Sequence, residues 1–553
     1  MINNSLKKKL AILNIFLFVG VVFTASVNGD LEKISIKSET YINGDISLYV
    51  DPPEILWDKT FGGINMDYGV DIKQTKDNGY IITGSTYSFG SDLSDAWLIK
   101  TDSYGNEEWN KTYDKKYEID TDEMAFSVQQ TNDDGYIIAG DVSPYWEGYF
   151  DLFLVKTDNT GDEQWQKVYG GSDVERANEI IKCIDDGYII AGMECSSGDS
   201  CDAWLFKIDD DGEELWNKTY GGDNLESFRS LKQTTDGGYI LTGVTYSYGR
   251  GWGNIWLVKT DSNGNELWNK TFGTGAAHDG KYVQQTTDGG YIILGDTGSL
   301  ASVDNNAWLI KTDSYGNEEW NKTYDRNNGY DHCDSVQETN DGGYILIGDT
   351  CSLEENTCDI WLFKTNEYGD KIWEMTLGRD NIEWGQSVQQ TSDGGYILIG
   401  TIRSNDTYGL DRDTWLIKIA SEDTPKKPTL NGPVNGKSGE NQEYTISTID
   451  PNGDDVLYYI DWGDGTNSGW IGPYNSGEIC NINHNWREKN TYIIKAKAKD
   501  TNGLESGWST LEVSMSKTRS KAVNLSILKS LERGNMDIIQ VISLILDFIS
   551  AFQ

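Results

Sequence analysis

Three observations predict an all-β chain. The phrase Asp-Gly-Gly-Tyr-Ile, or a close variant, recurs seven times, at Tyr80, Tyr136, Tyr188, Tyr239, Tyr291, Tyr344 and Tyr396, at intervals of 56, 52, 51, 52, 53 and 52 residues. Glycine is abundant at 60 residues, proline is scarce at 8, and aromatics reach 12% of the chain. This combination suits many short strands joined by tight turns. No helical periodicity interrupts the repeats. The predicted fold is a seven-bladed β-propeller closed by an N-terminal strand. An immunoglobulin-like β-sandwich and a short C-terminal helix follow it.

Each unit reads as four strands. In the fourth unit they are Leu231-Lys232-Gln233-Thr234, Tyr239 to Gly243, Ile255 to Thr260 and Glu266 to Phe272. Asp-Gly turns join the first two runs, and an Asp-x-x-Gly turn such as Asp261 to Gly264 joins the last two. Glycine there supplies the positive φ that tight hairpins need. The fourth-strand Trp recurs at Trp57, Trp109, Trp165, Trp216, Trp268, Trp320 and Trp373. The third-strand aromatic recurs at Trp97, Phe153, Trp204, Trp256, Trp308, Trp361 and Trp415. The region thus opens on a lone fourth strand and closes on a third. The strand around Trp57 is expected to complete the last blade and remove the exposed edge.

Charge narrows the function classes. The 553 residues include 46 Lys+Arg and 88 Asp+Glu, a net charge of −42. Such a chain repels phosphate backbones, which argues against nucleic-acid partners. Its aromatic content argues against disorder, and its low proline against collagen. Three histidines (His278, His332, His484) leave little material for His-based metal sites.

The expected organisation is a signal peptide over 1–29, a lead segment 30–51, the propeller 52–421, a linker 422–427, a β-sandwich 428–515 and a tail 516–553. Lys7-Lys8-Lys9, an apolar run from Leu10 to Phe23, then Ala25 and Ser26 follow the order of an export signal. An uncleaved anchor is the alternative. The tail is basic and then apolar, and residues 536–553 suit an amphipathic helix on a membrane surface or a partner.

The propeller region resembles the Trp-rich repeats of secreted archaeal and bacterial proteins. It is also similar to quinoprotein-like (PQQ-like) propellers, through Asp102-x-x-Gly105-x-x-x-Trp109 and its five counterparts, one of which starts with Asn366. In the second region, Tyr459-Ile460-Asp461-Trp462-Gly463-Asp464-Gly465-Thr466, then His484-Asn485-Trp486 and Lys499-Asp500-x-x-Gly503, resemble a PKD domain. That family implies an immunoglobulin-like spacer or adhesion module on cell surfaces, with His484 structural.

Two features fall on the loop face that carries the second-to-third connections. The first is a carboxylate thirteen residues before each repeat Tyr: Asp67, Glu123, Glu175, Glu226, Asp331 and Glu383, with His278 in the fifth unit. By symmetry these form a ring suited to Ca²⁺, or else each accepts backbone N–H groups at a blade junction. The second is an aromatic set in loops of the first, second and fourth units, not repeated in every unit: Tyr87 and Phe89; Tyr145, Trp146, Tyr149 and Phe150; Tyr246, Tyr248 and Trp252. Aromatic faces beside Asp and Asn suit a sugar ring or a protein partner; the alternative is loops tucking over blade edges. Asp or Asn also recurs two residues before each third-strand aromatic, from Asp95 to Asp413, where it is expected to bond loop backbone.

Asp450, Asn452 and Asp454 make a second candidate Ca²⁺ loop or an ordinary turn. Cys195 and Cys351 share a repeat position, and each has a near partner, predicting Cys195–Cys201 and Cys351–Cys358 disulfides. Cys183, Cys333 and Cys480 stay unassigned. No motif requires a cofactor, and Ca²⁺ is the one ion considered.

The expected function is a non-enzymatic, exported, monomeric surface protein that binds a glycan or a protein through the propeller loops. The alternatives are a carbohydrate-active propeller enzyme, which needs two carboxylates at defined separation, and a purely structural envelope protein.

Overall fold

The computed structural model describes residues 51–517 except 92, 116–120, 145–149, 172, 196–199, 299–304, 327–328, 353–356, 379–381 and 404–411. It also describes three short strands, Val21–Thr24, Lys37–Ile42 and Asp45–Ser47, which pair antiparallel in a sheet of their own. The tail 518–553, where a helix was expected, lies outside the described residues, as does most of the expected signal. Among the described residues the secondary structure is all β, and no helix is long and apolar enough to cross a membrane. The chain divides into two compact units, Met1–Thr424 and Pro425–Gln553.

The first unit contains seven antiparallel groups of four strands, spanning 67–113, 121–169, 174–220, 226–272, 278–324, 330–377 and 384–419. The seventh has three strands of its own, and Ile55–Phe61 supplies the fourth by pairing with Arg412–Ile419. A single parallel contact, Asn306 to Asp331, joins the fifth and sixth groups into one sheet.

Residue pattern explains strand position. Tyr80–Thr86 and Asp95–Thr101 are buried throughout, because both faces of these middle strands are covered. The outer strand Glu107–Tyr113 exposes its leading acids and buries its terminal Tyr. Its entry turn is held by Asp102 Oδ1, which accepts the N–H groups of Tyr104 (2.9 Å) and Asn106 (2.8 Å). Gly105 sits there at φ 73°, where a side chain would also strike the Trp57 ring.

Apolar clusters join every consecutive pair of sheets. One of them joins the seventh to the first, through Ile397, Ile399 and Leu416 against Ile72, Tyr80 and Trp97. Trp57 works across the same seam. Its backbone pairs with Lys418 of the seventh sheet, while its ring meets Tyr80 of the first at 6.0 Å.

The second unit holds two sheets. One contains Thr429–Asn431, Gln442–Ser447 and Cys480–His484; the other contains Asn435–Lys437, Ser509–Ser516, Thr491–Asp500, Val456–Asp461 and Asn467–Tyr474. Tyr444, Tyr458, Trp462, Trp486 and Ile494 fill its core. His484 stacks on Trp462 (4.4 Å, 4°) and bonds Asp464 Oδ2 at 2.8 Å, so it is part of the packing.

Candidate functional site

The seven ring positions do not converge on one ion. Each instead lies at a seam between consecutive sheets, beside the Asp or Asn that opens the previous sheet's third strand. The backbone sets this pairing. The N–H groups of Glu123, Glu175, His278, Asp331 and Glu383 donate to the carbonyls of Ser94, Phe150, Gly253, Asn305 and Cys358. A glycine closes most of these seams. A side chain at Gly62 would strike both Asp413 Oδ1 and Asp67 Oδ2, and one at Gly221 would strike Asp202 Oδ1 and Glu226 Oε2.

Many of these groups accept loop amides. Asp67 Oδ2 takes the N–H of Gly63 (2.7 Å), Glu226 Oε2 that of Gly222 (2.9 Å) and Asp331 Oδ2 that of Arg326 (2.8 Å). In the fifth unit His278 Nε2 accepts the Thr274 N–H (3.1 Å), and Nδ1–H donates to the Asp296 carbonyl at 3.2 Å. The Ca²⁺ ring is therefore corrected to separate two-sheet junctions. The cause is the backbone bond of five of these positions to the residue before the previous sheet's third-strand Asp or Asn, which holds these side chains at the junctions between sheets. The third-strand acids do bond loop backbone as expected: Asp95 Oδ2 accepts the Ser91 N–H at 2.7 Å.

The loop aromatics divide into two kinds. Tyr145, Trp146 and Tyr149 lie outside the described residues. Phe89 and Tyr248 share one repeat position, and each leans on its third-strand Trp, Phe89 on Trp97 (5.8 Å) and Tyr248 on Trp256 (5.6 Å). Tyr248 also donates to the Gly221 carbonyl at 2.6 Å. Tyr87 is half-buried, and Phe150 lies under the Arg176 guanidinium at 4.5 Å. Trp252 stands clear at 69% exposure, with Tyr246 at 45%. A shallow cleft of about 510 Å³ beside Tyr246 is lined by Ser200, Asp223, Asn224 and Leu225. Apolar ring faces and amide and carboxylate groups thus lie side by side there.

A central cavity of about 420 Å³ has a lining that the repeat arithmetic did not single out. Every first strand carries a β-bulge at one residue: Val70, Phe126, Asn178, Arg229, Lys281, Asp334 or Gln386. All seven line the cavity. A bulge re-aims a side chain out of the ladder. The sequence signal was available: ten residues before each repeat Tyr, no two units share a residue.

The cavity's charges are largely matched to one another. Lys73 meets Asp71 (2.6 Å), Lys232 meets Glu179, Arg229 meets Asp279 (3.5 Å), and Lys281 lies 3.7 Å from Asp296. His332 lies 3.3 Å from Asp349 and 3.6 Å from Asp334, and those acids raise its pKa against the effect of burial. Burial pushes Asp349 up to about 7 and Asp296 up to about 6, in each case against a neighbouring cation.

Asp450, Asn452 and Asp454 form a turn. Asp450 Oδ1 and Asn452 Oδ1 both accept the Asp454 N–H, at 3.0 and 3.2 Å. Cys195–Cys201 and Cys351–Cys358 are disulfides that link directly opposed residues of adjacent strands, while Cys183, Cys333 and Cys480 are buried free thiols.

No family model matches the chain, and no curated protein matches it. Among solved structures, the chain is similar to the PKD domain of an M14-like peptidase from Thermoplasmatales archaeon SCGC AB-540-F20. The identity is 53% over 17% of this chain and 96% of that domain, with a TM-score of 0.17. The PKD-like phrase around Trp462 and His484 is what builds the stacked pair in the second unit's core.

Proposed function

We propose that this is a non-enzymatic, exported cell-surface protein whose seven sheets form one closed β-propeller that binds a glycan through its loop face. The PKD-like region serves as a spacer. Completion of the seventh sheet by Ile55–Phe61 supports closure, as does the apolar cluster between the seventh and first sheets. Two disulfides and the N-terminal order of charged, apolar and small residues support export.

One observation carries the binding reading. Trp252 keeps 69% of its surface exposed, and Tyr246, 45% exposed in the same loop, borders a cleft bearing Asp223 and Asn224. A rigid aromatic face next to directional polar groups is what a sugar ring stacks on and bonds to. The ion pairs of the central cavity favour this face over catalysis in the cavity, because acids bonded to lysine and arginine are committed to holding the walls.

The test is a glycan array and a surface-protein panel probed with the full chain and with Trp252→Ala. Binding to a glycan that weakens at least tenfold in the variant, with an unchanged melting temperature, supports the reading. Binding to a protein alone redirects it to a protein partner. No ligand on either panel points to a structural envelope role.

A further inference from the structure

The seam between the first and second sheets differs from most of the others, which have glycine where it has a third acid. Asp95 and Glu123 face each other there as elsewhere, but a third acid, Asp114, joins them. At its place, five residues after the fourth-strand Trp, five of the six other units have glycine: Gly62, Gly170, Gly221, Gly273 and Gly378. One carboxylate oxygen from each of Asp95, Asp114 and Glu123 lies within 4.8 Å of the other two.

Asp95 and Glu123 are fully buried. The loops fix one oxygen of each: Ser91 N–H donates to Asp95 Oδ2 at 2.7 Å, while the Thr121 hydroxyl and the Lys115 N–H (3.4 Å) donate to Glu123 Oε1. The other two oxygens, Asp95 Oδ1 and Glu123 Oε2, are buried and accept no hydrogen bond from the described residues. Unpaired buried carboxylates cost several kcal/mol each, so the cluster requires a positive charge between its members.

We propose that Asp95, Asp114 and Glu123 bind one divalent cation, Ca²⁺, which ties the first sheet to the second. Oxygen ligands sit about 2.3–2.6 Å from Ca²⁺, so donors on opposite sides of one ion are separated by about 5 Å. The spacing of this trio fits that limit. An all-carboxylate donor set selects a hard ion over zinc or copper. The fold does not demand acids at a seam, since the same place between the fourth and fifth sheets is neutral, with Asn254 beside His278.

The experiment counts bound Ca²⁺ by equilibrium dialysis on the full chain after chelator treatment, at pH 8 and about 1 mM free Ca²⁺, a level suited to extracellular sites. Asp114→Gly restores the residue found in most other units, and Glu123→Gln removes the central carboxylate. Near-ultraviolet circular dichroism establishes that both variants are folded. If Glu123→Gln fails to fold, Asp114→Gly alone decides. The expected result is one ion fewer in each variant than in the parent, and a parent melting temperature that rises with Ca²⁺ more than either variant's. Equal ion counts in parent and variants overturn the proposal. So does a parent that binds no Ca²⁺ at pH 8.

Discussion

Lys259, whose side chain is 4% exposed, reaches the turn acid Asp236 at 3.0 Å. The same pair recurs in all seven units, as Lys100–Asp77, Lys156–Asp133, Lys207–Asp185, Lys311–Asp288, Lys364–Asp341 and Lys418–Asp393. Each lysine rises from the third strand beneath the Asp-Gly turn and neutralises it from below. Removing one partner of a buried pair leaves a stranded charge, at a cost of about 3–5 kcal/mol; because Asp236 is 61% exposed, Asp236→Ala is expected to cost about 2 kcal/mol. Lys259→Met removes the charge together with the need for it, and is expected to cost under about 1 kcal/mol. Urea unfolding of both variants measures the difference, and a larger loss in Lys259→Met contradicts this account.

Stability is expected to fall as pH rises from about 5 to about 8 in chelator. Burial raises Glu123 to about 8, Glu175 and Asp349 to about 7, and Asp141 and Asp296 to about 6. Their unfolded values lie near 4. Between those limits the folded chain holds protons that the unfolded chain has released, so raising the pH favours unfolding. His332, with a raised pKa, acts in the same direction, and His278, lowered by burial, opposes it. Below about pH 4 the sign reverses. Asp77 and Asp288 are held near 2 by hydroxyl, lysine and amide partners, and their contribution disappears as they protonate. Urea midpoints across pH 3–9 test this, and a maximum at pH 8 would contradict it.

Two glycine substitutions separate backbone strain from packing. Gly105 (φ 73°) and Gly237 (φ 83°) both sit in the left-handed region. A side chain at Gly237 meets nothing within 4 Å, whereas one at Gly105 meets Trp57 at 2.4 Å. Gly237→Ala is expected to cost about 1 kcal/mol from conformation alone. Gly105→Ala should cost roughly 2 kcal/mol more, because it dislodges the strand that completes the seventh sheet. Equal losses would show that Trp57 is not held against that turn.

Thiol chemistry should report the disulfides directly. The native protein is expected to react slowly with Ellman's reagent, since Cys183, Cys333 and Cys480 are buried. Denaturation without reductant should expose three thiols, and denaturation with reductant followed by its removal should expose seven. Reduction of the two short loops should lower stability by about 2 kcal/mol each.

Sequence alone determined what repeats locally. The seven Tyr phrases fixed the number of four-strand groups, the surplus Trp57 announced the strand borrowed by the seventh, and Cys195 and Cys351 lay close enough to their partners to name both disulfides. These relationships fall within a strand, a turn or a count of repeats, where spacing is geometry. Only the tertiary structure decided what happens between sheets. Asp95 and Glu123 are 28 residues apart and belong to different units, so an alignment of units places them in separate columns and hides their contact. The same alignment suggests a single acidic ring, whereas backbone bonds between sheets distribute its members among the seams. Asp114 and the seven bulge residues acquire meaning only where neighbouring sheets converge, because burial and charge depend on what arrives from the next sheet.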